Sequence, residues 1–233
     1  MPKTAGLSFR GSLEAHFGDR FRPDYEDYPL AQPADRRRQR ARLWGETARA
    51  DNFEGIECIH GHFLPLKYLP LAAAVPCTFV TWLREPLARL VSHYHYWQRS
   101  YDPAAATTSS LHRKVVEEKW SLHRFCLAPE LKNVYTEFLW GFPVSRLDFI
   151  GITEYYVDDL RYFSQEILGN NLEVHTLNRR PGEGAARGTA VLEPDQRSEI
   201  QNFHAADCAL YRHALELRRF RLGYPSGAPQ RHL

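Results

Sequence analysis

The chain has 233 residues, of which 43% are hydrophobic and 13% aromatic, a size and composition that suit one globular domain with a substantial core. Its 30 lysines and arginines nearly balance its 28 aspartates and glutamates, and the net charge of +2 excludes general electrostatic binding to nucleic acid. No apolar run approaches the roughly 20 residues of a membrane span, and the N-terminus lacks the layout of a signal peptide, so a soluble protein is expected.

The first predicted element is a short helix from Ser8 to Phe17, entered from a tight loop at residues 2 to 7. Such a loop can wrap an anion with backbone N–H groups while Lys3 supplies positive charge. A capped helix without a ligand is the alternative, since the loop lacks the glycine spacing of GxxxxGK[ST]. The loop has the character of the middle of a strand-loop-helix unit, so a first strand is expected to be missing upstream of residue 1.

Arginines dominate the next segment, residues 20 to 52, where five of them stand close together: Arg36, Arg37, Arg38, Arg40 and Arg42. A solvated helix face is one interpretation of this run, and a clamp for an anionic acceptor is the other. Two β-rich runs follow at Gly55 to Ile59 and at Thr78 to Leu83. Both predict buried strands that end in polar residues.

The second half of the chain predicts further helices and one strand. Pro86 suits the first turn of a helix, and apolar residues then recur with helical spacing as far as Trp97. The remaining predicted elements are a strand at Phe149 to Gly151, a helix at Tyr156 to Leu168, a basic loop at Arg179 to Gly188, two helices from Pro194 onward and a tail at 225–233. Strands that alternate with helices predict an α/β fold with a mainly parallel sheet, in which ligands bind beyond the carboxyl ends of the strands.

A second anion-binding pattern lies where the strand ending at Leu83 meets the helix starting at Pro86. Arg84 stands at the strand end, and Ser92 follows eight residues later, about two helical turns on. The guanidinium and the hydroxyl could converge on one anion, because arginine forms forked, charge-assisted bonds that a phosphate accepts well. A surface pair of Arg84 with Glu85, beside an incidental serine, is the alternative.

Two histidines, His60 and His62, flank Gly61 after the first predicted strand. A single histidine is most often structural. Cys58 alternates with both histidines and could complete part of a zinc site on an extended segment, but no fourth ligand is suggested and no metal is expected. The cysteines are far apart and form no CxxC pair, which suits core residues in a reducing compartment: Cys58, Cys77, Cys126 and Cys208.

The two loops, in this order, resemble the loops that bind 3'-phosphoadenosine 5'-phosphosulfate (PAPS) in sulfotransferases of the Golgi carbohydrate type, the heparan and uronyl 2-O-sulfotransferases, and in their bacterial relatives (sulfotransferase family 2 domain). The family pattern P-K-T-[AG]-x-[ST]-[ST] reads Pro2 to Ser8 here, with Leu7 in place of a small hydroxyl residue. The pattern R-[DE]-P-x-x-R-x-x-S-x-[YF] is met in full by Arg84, Glu85, Pro86, Arg89, Ser92 and Tyr94. The resemblance implies a P-loop-like three-layer sandwich, with a central, mainly parallel sheet flanked by helices, in one domain over 1–233.

The histidine pair strengthens the resemblance, because the 2-O-sulfotransferases carry a His-Gly-His between the two loops and its second histidine is regarded as the base. The resemblance therefore implies His62 as the base, Lys3 as the group that stabilises the leaving phosphate, and His60 as an assistant to the acceptor. It implies donor contacts from Lys3, Thr4, Ala5, Gly6, Leu7, Ser8, Arg84 and Ser92. Residues 133–139 and 149–154 and the basic loop after Asn178 look like later landmarks of the family.

The expected reaction moves a sulfuryl group from PAPS, the co-substrate, to a hydroxyl on a glycan or another acceptor and releases 3',5'-adenosine bisphosphate (PAP). A neutral imidazole, with an ordinary pKa near 6.5, can take the proton of the hydroxyl. A lysine at the bridging oxygen can stabilise the leaving phosphate, with no metal required. As written, the chain suggests the bacterial cytoplasm, and an N-terminal anchor upstream would instead suggest the Golgi lumen.

Two other functions are the alternatives to this one. A nucleotide kinase would need a Walker lysine followed by serine or threonine and a metal-binding aspartate at a strand end, and neither is evident. A non-catalytic relative that binds PAP or PAPS is consistent with the departure at Leu7. Binding of the product nucleotide without transfer to any acceptor would favour this second rival.

Overall fold

The computed structural model describes residues 1–27, 30, 32–105, 108–173 and 192–223. Within these ranges the helices are α1 (Gly6–Phe17), α2 (Ala34–Thr47), α3 (Leu69–Ala72), α4 (Pro86–Ser100), α5 (Ser110–Glu117), α6 (Leu122–Cys126), α7 (Val134–Phe138), α8 (Tyr156–Tyr162), α9 (Pro194–Phe203) and α10 (Ala205–Arg221). The strands are β1 (Phe21–Asp24), β2 (Cys58–Gly61), β3 (Val80–Leu83) and β4 (Phe149–Ile152). The predicted basic loop at 179–188 and the tail at 225–233 lie outside the described residues.

Most of the predicted elements are confirmed, with shifts at their ends. The helix α4 begins at Pro86, as the proline predicts, and α1 begins two residues earlier than expected, at Gly6. The strand β2 begins three residues later than the predicted run and ends two residues later, so His60 belongs to the strand itself. The strand β1 was not predicted, because Pro23 within it is typical of an edge or of no strand at all.

The four strands form two separate parallel pairs. In the first pair, Phe21 of β1 stands opposite Cys58 of β2. In the second, Val80 of β3 stands opposite Phe149 of β4. The α/β class and the parallel pairing are confirmed, whereas the three-layer sandwich around one central sheet is not, since the described residues contain two two-stranded sheets.

Helices cover both faces of the β3–β4 pair. One face packs on α1 and α8 through a cluster that includes Phe9, Leu13, Trp82 and Phe149. The other face packs on α7 and α10 through a cluster that includes Leu83, Tyr135, Ile152 and Leu210. All four residues of β4 are buried, as expected for a parallel strand that is covered on both sides.

Gly151 is required by the packing between β3 and β4. A Cβ atom at this position would lie 2.5 Å from the indole ring of Trp82, which is closer than a real Cβ contact allows. The absence of a side chain on β4 therefore makes room for the large ring on the neighbouring strand.

Two buried carboxylates attach the last described helix, α10, to the rest of the domain. Asp159 of α8 accepts a hydrogen bond from the backbone N–H of Ile152 at 2.8 Å and pairs with Arg218 of α10 at 2.7 Å. Asp207 of α10 accepts from the backbone N–H of Tyr135 at 3.0 Å. These contacts fix α10 against β4 and α7.

A third cluster lies among the helices of the second half. It joins α4 to α5, α6 and α9 through large side chains such as Leu90, Trp97, Phe125 and Ile200. This cluster holds α4, which follows Arg84 and carries Ser92, in a fixed position beside the sheets. Within the described residues, no helix combines the length and the apolarity needed to cross a membrane.

Candidate functional site

The loop before α1 has an unusual backbone. Lys3 and Ala5 have positive φ values of 65° and 60°, in the left-handed region that residues other than glycine rarely adopt. Ala5 is the N-cap of α1 and provides no side-chain cap, so no side chain at that position occupies the amides of the first turn. The loop therefore presents backbone N–H groups and the positive end of a helix together.

The side chains of the loop differ in where they lie. Thr4 is fully buried and its hydroxyl donates to the Met1 carbonyl at 2.9 Å, so it stabilises the loop from within. Ser8 is also buried, whereas Leu7 is 61% exposed. The predicted donor contacts are thus divided between side chains that support the loop and one apolar side chain that points to solvent.

Lys3 brings the loop into contact with α4. Its Nζ atom lies 4.0 Å from the centre of the Tyr96 ring, a cation–π distance. Tyr96 is four residues after Ser92, and residues four apart lie on the same face of a helix. The loop of the first predicted pattern therefore contacts the helix that carries Ser92 of the second.

Arg84 is held by its backbone at the carboxyl end of β3. Its N–H donates to the Tyr135 hydroxyl at 3.1 Å, and that hydroxyl donates to the Arg84 carbonyl at 2.7 Å. The carboxylate of Glu85 accepts from the first-turn amides of Leu87 and Ala88, so the start of α4 is capped by the chain itself. Any anion at this end of α4 would consequently depend on side chains, of which Arg84 and Ser92 are half-buried.

Arg89 belongs to the second pattern, but the sequence did not indicate that its side chain would be buried. It is fully buried, and among the described residues none of its three side-chain nitrogens has a hydrogen-bond partner. Its guanidinium lies 5.4 Å from the centre of the Tyr135 ring. It is close enough to the Met1 amino group and to His93 to lower the pKa of each, although burial contributes more to both shifts. A buried cation without a hydrogen-bonded partner favours the binding of an anion.

His62 lies directly after β2 and contacts the loop of Lys3. A hydrogen bond joins its ring to the Met1 backbone, and its ring packs against Tyr25 at 5.1 Å between centroids. Burial lowers the pKa of His62 to about 3, and the Met1 amino group and His60 add to the effect. The imidazole is therefore neutral at pH 7, the form that can accept a proton.

His60 lies within β2 between aromatic rings. Its ring centre is 5.9 Å from that of Phe9 and 6.3 Å from that of Phe21. Burial, together with the Met1 amino group and Arg10, lowers the pKa of His60 to about 3, and its Nδ1 atom has no hydrogen-bond partner among the described residues. His60 and His62 are both half-buried, and the role of His60 as an assistant to the acceptor stays a prediction.

A buried charged cluster beside His62 was not predicted. Lys67 pairs with Asp24 at 2.5 Å and with Asp27 at 3.0 Å. The backbone carbonyl of His62 accepts from the Asp27 N–H at 3.2 Å, and its N–H donates to the Asp24 carbonyl at 2.8 Å. The cluster lines a cavity of about 310 Å³, whose wall includes Trp44. Residues 24, 27 and 67 meet only because β1 pairs with β2, so their separation in sequence gave no signal.

The structure thus brings the loop of residues 1–5 into contact with the ring of His62, which follows β2, and with Tyr96 of α4. In the part of the chain that the structure describes, no group of three or more histidines, cysteines or carboxylates could hold a metal ion. Comparisons of the chain with protein-family models, with curated proteins and with solved structures find no match.

Proposed function

We propose that the chain is a PAPS-dependent sulfotransferase that transfers a sulfuryl group to an acceptor hydroxyl, with a glycan as the favoured acceptor. The observation that carries the proposal is the contact of His62 with the Met1 backbone, next to the loop whose Lys3 lies over Tyr96 of α4. A base, a phosphate-binding loop and the helix with the second pattern are then neighbours, which an in-line transfer needs.

The donor would be bound at both of its phosphate ends. The amides before and within the first turn of α1 suit the 5'-phosphosulfate, with Lys3 near the bridging oxygen. Arg84 and Ser92 suit the 3'-phosphate, as the sequence pattern implies. Arg89, buried behind them on α4, adds positive charge that no described residue neutralises through a hydrogen bond.

The proposed step forms a bond between the acceptor oxygen and sulfur while the bond from sulfur to the phosphate oxygen of PAPS breaks. His62 takes the proton of the acceptor hydroxyl, and Lys3 stabilises the negative charge that develops on PAP. A His62 with a pKa near 3 is a weak base in the structure without a donor. A bound polyanion beside the ring favours its protonated form and so raises its basicity toward the useful range.

The acceptor would enter beside His62, where the cavity of about 310 Å³ combines carboxylates with aromatic rings. Asp24 and Asp27 are buried and already paired with Lys67. The exposed side chains of Glu26 and Arg40 on the same wall would therefore make the polar contacts, and Trp44 provides an apolar face on which a sugar ring can stack. A hydroxyl-rich acceptor fits this chemistry better than an apolar one.

We also propose that the two parallel pairs belong to one three-layer sandwich. Support comes from the cluster under α1, in which Phe21 and Cys58 of the first pair pack against the same core as Trp82 and Phe149 of the second. A shared core of this kind is typical of one sheet rather than of two independent ones.

Calorimetric titration with PAP, and with ATP plus magnesium as the competing ligand, tests the donor site. PAP is expected to bind in preference to ATP, and Arg84→Ala is expected to weaken PAP binding by at least about tenfold, since a charge-assisted phosphate contact is lost. Arg99→Ala is the matched control, because Arg99 is exposed in the last turn of the same helix and should leave binding unchanged. Preference for ATP, or equal PAP binding by both variants, would contradict the proposal.

A non-catalytic PAP-binding protein is the second candidate, and the exposed Leu7 favours it because an apolar side chain replaces a hydroxyl in the loop. Binding of PAP together with no release of PAP from PAPS, tested over a panel of sulfatable glycans, would support this candidate instead.

A further inference from the structure

Side chains from three other elements hold the backbone of residues 83–85, which connects β3 to α4. The pairing of β3 with β4 ends at Leu83. Past this point the Leu83 carbonyl accepts from the Thr153 hydroxyl at 2.9 Å, and the Glu85 N–H donates to the Glu154 carboxylate at 3.0 Å. Backbone groups that leave a ladder need other partners, and side chains supply them here.

Arg84, at the centre of this segment, depends on a single hydroxyl. The Tyr135 hydroxyl accepts from the Arg84 N–H at 3.1 Å and donates to the Arg84 carbonyl at 2.7 Å. Burial raises the pKa of Tyr135, so the hydroxyl keeps the proton that the carbonyl needs. A phenylalanine ring would fill the same space but could make neither bond.

Tyr135 is itself held in place and contacts the second arginine of the pattern. Its side chain is fully buried, and its backbone N–H donates to both carboxylate oxygens of Asp207, at 3.1 Å and 3.0 Å. The guanidinium of Arg89 lies 5.4 Å from the centre of its ring. One tyrosine therefore contacts the backbone of Arg84 with its hydroxyl and the side chain of Arg89 with its ring.

The side chain of Arg84 is less constrained than its backbone. It is half-buried, and it forms no hydrogen bond or ion pair with any residue in the described ranges. A long side chain of this kind meets an anion accurately only if its Cα atom is well placed, and small displacements of a binding group are costly. The hydroxyl of Tyr135 is therefore well placed to control where the guanidinium of Arg84 can reach.

We propose that Tyr135 is a positioning residue for Arg84, and that its hydroxyl determines how strongly the chain prefers a nucleotide with a 3'-phosphate to the same nucleotide without one. The inference rests on the proposed function, because it takes from it the pairing of Arg84 with the 3'-phosphate. Tyr135 is buried and acts through the backbone of Arg84, without a contact of its own to the nucleotide.

Calorimetric titration of Tyr135→Phe with PAP and with AMP, which lacks only the 3'-phosphate, tests the inference. The parent is expected to bind PAP at least about tenfold more tightly than AMP. The variant is expected to lose about three- to tenfold in PAP affinity and less than about twofold in AMP affinity, because two hydrogen bonds are lost while the ring beside Arg89 is kept.

Tyr94→Phe is the matched control. The Tyr94 hydroxyl also donates to a backbone carbonyl, that of Trp120 at 2.8 Å, but it lies further along α4 and contacts neither Arg84 nor Tyr135. This variant is expected to keep the parent's ratio of PAP affinity to AMP affinity. In an Arg84→Ala background, Tyr135→Phe is expected to change PAP affinity by less than about twofold, since its effect passes through Arg84.

The parent's ratio of the two affinities separates failure of the inference from failure of the proposed function. A parent that prefers PAP, with the same ratio in Tyr135→Phe, would overturn the role of Tyr135 and leave the donor site standing. A parent that binds PAP and AMP equally would overturn both. Equal weakening of PAP and AMP by Tyr135→Phe would make Tyr135 a purely structural residue, and a further loss of PAP affinity in the Arg84→Ala background would show that it does not act through Arg84.

Discussion

At the residue level, His62 holds a neutral ring that contacts the loop of Lys3, and Arg89 holds a charge with no hydrogen-bonded partner among the described residues. The proposed roles of these two side chains differ, one in the chemical step and the other in the binding of the donor. His62 would handle the proton of the acceptor, whereas Arg89 would attract the donor from behind the site. A substitution of His62 is therefore expected to change the rate of transfer, and a substitution of Arg89 is expected to change the binding of PAP.

His62→Ala is expected to leave PAP binding within about twofold and to lower the rate of sulfuryl transfer by roughly 10²–10⁴, the usual effect of removing a general base. Calorimetry and single-turnover assays with PAPS measure the two effects. His213→Ala is the control, since His213 is exposed on α10. Unchanged transfer by the His62 variant would remove His62 from the role of base.

Arg89→Met is expected to change the free energy of unfolding by no more than about 1 kcal/mol, because the lost contact with Tyr135 is offset by relief of a desolvated charge. The same change should weaken PAP binding at least about tenfold, which calorimetry measures. A loss of stability well above 2 kcal/mol with unaltered binding would instead make Arg89 a purely structural residue.

At the element level, Asp159 connects α8, β4 and α10, because it accepts from Ile152 and pairs with Arg218 and Arg221. Breaking such a buried pair leaves the partner cations uncompensated. The side chain of the neighbouring Asp158 is 68% exposed and pairs with Arg161 at 3.6 Å. Two adjacent carboxylates on one helix thus differ in their burial and in the number of their partners.

Asp159→Asn is expected to lower the free energy of unfolding by about 3–5 kcal/mol, and Asp158→Asn by less than about 0.5 kcal/mol. Urea denaturation of the two variants and the parent measures the difference. Equal effects of the two substitutions would show that α10 is not held in place through Asp159.

The elements differ in how far the sequence predicts them. The start of α4 follows from Pro86 and from the apolar stripe after it, both of which act within the helix itself. The strand β1 and the shift of β2 depend on the pairing of one with the other, which no local pattern contains. For the same reason the two phosphate-binding patterns were visible in the sequence, whereas the cluster of Lys67 with Asp24 and Asp27 was not.

At the level of the whole molecule, several buried histidines link stability to pH. Burial lowers the pKa of His60 and of His62 to about 3 and that of His204 to about 4, and it lowers the pKa of His93 as well. The unfolded chain, with histidine pKa values near 6.5, takes up protons before the folded chain does. The stabilisation is therefore complete above about pH 6.5 and decreases as the pH falls toward the folded pKa values.

The free energy of unfolding is expected to fall between pH 7 and pH 5, by up to about 1.4 kcal/mol per pH unit for each buried histidine. Urea denaturation at several pH values measures this slope. The buried Asp207, whose pKa is raised by desolvation, acts in the opposite sense at lower pH. A free energy of unfolding that stays constant from pH 7 to pH 5 would contradict the assignment of neutral, buried rings.

The attachment of α10 also has a consequence for synthesis on the ribosome. Arg218, the partner of Asp159, lies 59 positions after it in the sequence. Asp207, the partner of Tyr135, lies 72 positions after it. Until the nascent chain includes α10, the carboxylate of Asp159 lacks Arg218 as a partner and the backbone N–H of Tyr135 lacks Asp207. Folding of the domain is consequently expected to wait until α10 has left the exit tunnel, and until then the emerging chain is a substrate for chaperones.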